Sequence, residues 1–196
     1  MTTLLLAFRG VISTFTSGLQ QEMSKSALKK YLRELKKKDL ELQILDLYER
    51  FPQVKTYYNF AFNPKEDKLI GEAKAKISNE YFPLKRKRAR ARRSVAQKFI
   101  KQYSILGMDP HLLADLMLFN IETAQRYSAS NRVNEAFYKS MLRSYREAVQ
   151  HLSLNAILPE FKERLQKIRQ VLQEQEWEFQ EDFDQILDLA YMNDLP

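Results

Sequence analysis

At 196 residues, with 44% hydrophobic and 29% charged side chains, the chain is long enough to bury its own core and too apolar for wholesale disorder. Four glycines and six prolines leave little material for a turn-rich β architecture, so the composition points to helix. The absence of cysteine excludes a disulfide scaffold, a thiolate metal site, an iron–sulfur cluster and a cysteine nucleophile, and the net charge of +7 directs attention to anionic partners.

Residues 1–22 differ from the rest. Leu4-Leu5-Leu6-Ala7-Phe8 is cut off by Arg9-Gly10 and followed by a Ser/Thr-rich stretch with no acid before Glu22. That run is too short and wrongly flanked for a secretory signal. No segment approaches the roughly 18 apolar residues of a membrane span. Residues 1–22 are therefore read as a flexible extension, with one helical domain from Met23 to Pro196, its first helix opening at Ser24-Lys25-Ser26.

From there the apolar spacing repeatedly follows the helical period. Leu28, Tyr31, Leu32 and Leu35 share one face, opposite Lys29, Lys30, Arg33 and Lys36. Asp39 is placed to cap a second helix with the stripe Leu40, Ile44, Leu47, Tyr48 and Phe51, stopped by Pro52. The aromatic cluster Tyr57, Tyr58, Phe60 and Phe62 reads as a helical turn, and Asn63-Pro64-Lys65-Glu66 as an N-cap, N1 proline and N3 acid. The next helix should bury Ile70, Ala73, Ile77 and Tyr81 and close at Pro83.

After a basic loop over 83–93, Ser94-Val95-Ala96-Gln97 offers a capping box for a helix through Leu106, with Gly107 as its stop. Asp109-Pro110 opens the most apolar helix of the folded part, through Ile121 and beyond, expected to be central and buried nearly all round. Ser128 to Arg132 is a loop. Phe137, Met141, Tyr145, Ala148, Val149 and Leu152 then trace a long helix, Asn155 to Pro159 form a junction, and Phe161, Leu165, Ile168 and Leu172 continue the pattern. A last helix carries Phe179, Phe183, Ile186, Leu187 and Ala190. The expected fold is all-α, an irregular multi-helix bundle or short helical array of about eight helices.

The organisation from Ser24-Lys25-Ser26-Ala27-Leu28-Lys29-Lys30-Tyr31-Leu32, through Tyr57-Tyr58-Asn59-Phe60 and Asn63-Pro64-Lys65-Glu66-Asp67-Lys68-Leu69-Ile70, to Ala91-Arg92-Arg93-Ser94-Val95-Ala96-Gln97-Lys98 resembles a family of uncharacterised proteins found in Bacteroidetes-type bacterial genomes. The resemblance runs from about Met23 to the C-terminus. It implies a bacterial, cytoplasmic, helical protein and carries over no functional residue.

Charge supplies the functional reading. Lys85, Arg86, Lys87, Arg88, Arg90, Arg92 and Arg93 put seven cations in nine residues, and Lys98 and Lys101 extend the run with no acid between Pro83 and Gln102. Closely spaced Lys and Arg displace condensed counter-ions from nucleic acid, and arginine favours bidentate phosphate contacts. With no Asn, Gln or aromatic inside 85–93 to read or stack on bases, such contact would be largely sequence-independent. The alternative is an interaction or adaptor module in which the run is a solvated linker or pairs with an acidic protein partner. A second basic stretch, Lys25, Lys29, Lys30, Arg33, Lys36, Lys37 and Lys38, faces only Glu34, whereas Gln170 to Pro196 holds eight acids and no cation. The acidic segment 174–196, with Trp177, Phe179 and Phe183, is a candidate internal mask over the basic run.

Catalytic signals are absent. His111, after Pro110 at a helix start, and His151, near a helix end, read as structural; Glu147 and His151 share a face but lack the Glu-x-x-His spacing of di-iron bundles. Gly71 and Gly107 are isolated, so no phosphate-cradling loop exists. Asp115, Asn120 and Glu122 are polar members of the apolar central helix. Asp115 is expected to pair with a core-facing arginine and Glu122 with Arg126 one turn on. No catalytic residue, metal ligand or cofactor is assigned.

Overall fold

The computed structural model describes residues 23–85 and 88–193. Among these there are nine α-helices and no strand. The expected 23–196 domain is divided by its packing into two compact units, one up to Thr56 and the other from Tyr57 onward.

The first unit holds α1 (Lys25–Glu34), α2 (Lys37–Arg50) and the first turn of α3 (Pro52–Phe62). Ser24 caps α1, its Oγ accepting from the Ala27 N–H at 3.1 Å. Asp39, expected as the cap of α2, lies inside its first turn, where a carboxylate still complements the helix dipole. Pro52 ends α2, as its fixed φ predicts, and also begins α3, so the expected single turn over 53–62 is an eleven-residue helix. Neither α1 nor α2 buries a residue.

The second unit is an up-and-down bundle of α4 (Glu66–Tyr81), α5 (Arg93–Leu106), α6 (Pro110–Ser128), α7 (Glu135–Leu154), α8 (Lys162–Glu174) and α9 (Gln180–Asn193), with a short 3₁₀ turn, Leu158–Phe161, before α8. Directions follow from the cross-links. The Asp109 N–H donates to Glu66 and Tyr81 meets Tyr127, so α4 and α6 run parallel. The Tyr103 hydroxyl donates to the Leu69 carbonyl at 2.9 Å, placing α5 antiparallel to α4. His151 meets the Pro110 carbonyl at 2.9 Å and Phe137 meets Tyr127, so α7 returns beside α6. Gln125 donates to the Ile168 carbonyl and Arg169 meets Asp184, fixing α8 parallel to α6 and α9 against it.

The central position of α6 agrees with its sequence: ten of its nineteen residues are buried. Asp109 Oδ1 accepts from the His111 and Leu112 N–H groups, and Pro110 occupies the first turn. Ile70, Ala73, Ile77 and Tyr81 of α4 are buried as their spacing predicts. Trp177, 2% exposed, packs its ring 5.3 Å from Tyr138 and 5.8 Å from Phe137. Its Nε1–H donates to Gln175 at 2.9 Å and to Ser128 at 3.2 Å, which satisfies the buried donor.

Two further helix starts differ from expectation. Asn63 does not cap α4: its N–H closes α3 on the Asn59 carbonyl, and α4 begins at Glu66 without a side-chain cap. Ser94 does not cap α5, which begins at Arg93.

Candidate nucleic-acid interface

The basic run leaves α4 at a tightly packed end. Tyr81 is 2% exposed and meets Tyr127 at 5.7 Å, and Phe82 meets the same ring at 6.1 Å. Leu84, whose side chain points into solvent, donates its N–H to Asn79 Oδ1 at 3.3 Å.

The far end of the run returns to the same place. The N–H groups of Arg90 and Ala91 both donate to the Glu80 carbonyl at 3.0 Å. The Arg92 guanidinium grips the Glu80 carboxylate with Nε at 2.9 Å and Nη2 at 3.2 Å, a bidentate pair that holds the guanidinium's proton more firmly still. Ala91 turns the chain at φ 46°, in the left-handed region that a residue with a Cβ adopts only when its surroundings hold it there. Glu80 is 7% exposed. One residue therefore clasps the neck of the loop through both its backbone and its side chain.

Arg93 is anchored elsewhere. Its Nε donates to Ser144 Oγ at 2.7 Å and its Nη2 to Glu147 Oε2 at 2.6 Å, tying the start of α5 to the middle of α7. Of the candidate phosphate-binding cations, Arg92 and Arg93 are thus each paired with a carboxylate of the scaffold. Arg86 and Lys87 lie outside the described residues. Lys85, Arg88, Arg90, Lys98 and Lys101 are exposed, and no ion pair ties them to a carboxylate among the described residues. Lys98 and Lys101 stand three apart on α5 and so share a face.

Glu80 and Ser144 went unread in the sequence, and Glu147 was weighed only against His151, because their arginine partners are contributed by other segments. The carboxylates engaged by the described arginines of the run come from α4 and α7, while Asp184 and Asp188 of the acidic segment meet Arg169 at 2.5 and 3.9 Å. Trp177 and Phe183 are core residues. The masking role expected of 174–196 has no support in these contacts; Asp194 lies outside the described residues.

The polar residues of α6 form an ion network. Arg164 of α8 donates to Asp115 at 2.7 Å and to Glu122 at 2.6 and 2.9 Å, and Lys74 of α4 meets Asp115 at 2.5 Å. Asp115 has its arginine, as expected. Glu122 pairs with Arg164 and not with Arg126, whose guanidinium instead donates to Thr123 and lies over the rings of Phe82 and Phe119. Burial pushes the Asp115 carboxyl up, but the hydrogen bonds and charges of Lys74 and Arg164 outweigh it and hold it below the ordinary carboxylate range. Asn120 is fully buried, and neither of its amide atoms has a partner among the described residues.

His111 lies between Asp109 and Glu160 at 3.7 and 3.1 Å, and His151 joins α7 to the start of α6, while Glu147 is turned to Arg93. Among the described residues no group of three or more His, Cys, Asp or Glu side chains is placed to hold a metal ion, and no helix is long and apolar enough to cross a membrane. In the open cleft beside Arg169, Glu181, Asp184, Asp188 and Met192, Arg169 is paired with Asp184 and Asp188 of the same lining.

Comparisons with curated proteins and with solved structures find no significant match. The profile of a family of unknown function, DUF6155, matches residues 23–190, and the chain belongs to that family.

Proposed function

We propose that this protein binds nucleic acid through its phosphates, largely independently of sequence, in a bacterial cytoplasm, with the clasped loop 83–93 and the outer face of α5 as the contact surface. The observation that carries this reading is the division of labour within the run. Arg92 and Arg93 are spent on Glu80 and Glu147, while Lys85, Arg88, Arg90, Lys98 and Lys101 are exposed without a carboxylate partner among the described residues. A loop pinned at its neck presents its cations with less ordering entropy to lose on binding than a free linker would. The N-terminus of α5 adds the positive end of a helix dipole beside them.

The test is a salt titration of binding to duplex DNA and to single- and double-stranded RNA. The logarithm of affinity for duplex DNA should fall with the logarithm of salt at about −0.9 per phosphate neutralised. The triple variant Arg88→Gln, Arg90→Gln, Lys98→Gln should reduce the steepness of that slope by about 2.7, as three lost contacts require. Absence of binding to any of these nucleic acids at about 50 mM salt, or a slope the triple variant leaves unchanged, overturns the reading.

A further inference from the structure

We infer that the first helical unit is a docking surface for an anionic lipid bilayer, with α1 lying in the headgroup region. This is separate from the loop, and it starts from apolar side chains that folding leaves in water. In α1, Leu28 is 42% exposed and Leu32 37%, and together with the half-buried Tyr31 they form one stripe. In α2, Leu45 is 57% exposed, and Ile44 and Leu47 are open as well. The Gln43 amide donates to the Tyr31 hydroxyl at 2.6 Å, so the two helices are joined by a polar bond and not through a buried apolar seam.

Charge selects the partner. Residues 25–38 carry Lys25, Lys29, Lys30, Arg33, Lys36, Lys37 and Lys38 against Glu34 alone. Of these, only Lys37 is within ion-pair distance of a carboxylate among the described residues, 3.8 Å from Glu41. Lys25 and Lys29 lie on α1 three residues before Leu28 and Leu32 and so border the stripe, where their aliphatic stems can lie along it while the ammonium groups reach outward. A nucleic acid would neutralise the lysines but offers no apolar depth for the leucines. A second copy of α1 would cover the leucines but set like charges against one another across a two-fold axis. The surface of an anionic bilayer satisfies both at once: acyl boundary under the stripe, phosphate and carboxylate headgroups beside the cations. A ten-residue helix needs only to lie in that plane.

The full chain is tested by co-sedimentation with phosphatidylcholine vesicles, with and without a phosphatidylglycerol fraction. Binding should require the anionic lipid and weaken with salt. Lys29→Gln with Lys30→Gln should cost about fivefold per charge removed, and Leu28→Gln with Leu32→Gln about tenfold or more in total. All four side chains are exposed, so both variants should retain the parental helical spectrum and melting temperature. Because the chain has no cysteine, Leu32→Cys carries a single polarity-sensitive dye, whose emission should shift to the blue on anionic vesicles only. The loop variant Arg88→Gln, Arg90→Gln should keep vesicle binding, which separates this surface from the proposed nucleic-acid contact.

Any of four results overturns the inference: no vesicle binding, equal binding to neutral vesicles, binding that Leu28→Gln with Leu32→Gln leaves intact, or a solution dimer abolished by that same variant.

Discussion

Glu80 sets the character of the basic run more than any of its cations does. Its carbonyl accepts from Arg90 and Ala91 and its carboxylate holds Arg92, so a single residue at the end of α4 turns a charged stretch into a closed loop. No local pattern announces this, since Glu80 and Arg92 are twelve residues apart and meet only because α4 and α5 lie antiparallel. Removing the carboxylate should open the neck while sparing the core. In Glu80→Gln, trypsin should cut within 85–93 about ten times faster than in the parent under conditions where cleavage follows local opening, with the melting temperature little changed. Unchanged nicking would show that the two backbone hydrogen bonds suffice. His111 and His151 illustrate the opposite case: their places at helix ends were legible, because a helix start after proline and a last helical turn are positions the sequence marks.

At the scale of elements, apolar periodicity located the helices well, whereas capping patterns placed the starts at Ser24 and Asp109 but not those at Asp39, Asn63 and Ser94. The stripes of α4, α6, α7, α8 and α9 are the buried faces. Periodicity survives because burial repeats over several turns, whereas a cap is one local hydrogen bond that competes with others. Asn63 lost its capping role to the end of α3, and the start of α5 is set by Arg92 and Arg93 reaching other helices. Helix ends were more predictable where backbone sterics decide. Gly107 stops α5 at φ 76°, with its N–H on Ser104 and the Met108 N–H on Tyr103, the two bonds of a Schellman closure. A Cβ there would meet nothing within 4 Å, so Gly107→Ala measures conformation alone. It should destabilise the bundle by about 1 kcal/mol in a denaturant titration, and a neutral result would argue against the left-handed stop.

For the second unit as a whole, the network of Lys74, Asp115, Arg164 and Glu122 links three helices across the face of α6. Asp115 is held below its ordinary pKa in the folded state. Its contribution is therefore complete above the unfolded value of about 3.9 and is lost as pH falls through the lower, folded one. Asp115→Asn should cost about 2 kcal/mol near neutral pH, and unfolding free energies measured at successive pH values should fall less steeply below about pH 4 than in the parent. Equal acid limbs in the two proteins would place the acid sensitivity elsewhere.

The amino-acid sequence by itself determined the all-helical class, the buried stripes, the central place of α6 and the concentration of positive charge after α4, because composition and helical periodicity are properties of neighbours along the chain. Only the tertiary structure decided which cations remain exposed, that Glu122 reaches Arg164 and not Arg126, and that α1 and α2 keep their apolar residues on the outside. Those outcomes depend on distances between segments far apart in sequence, and ion pairs and burial are fixed by which helices come to lie side by side.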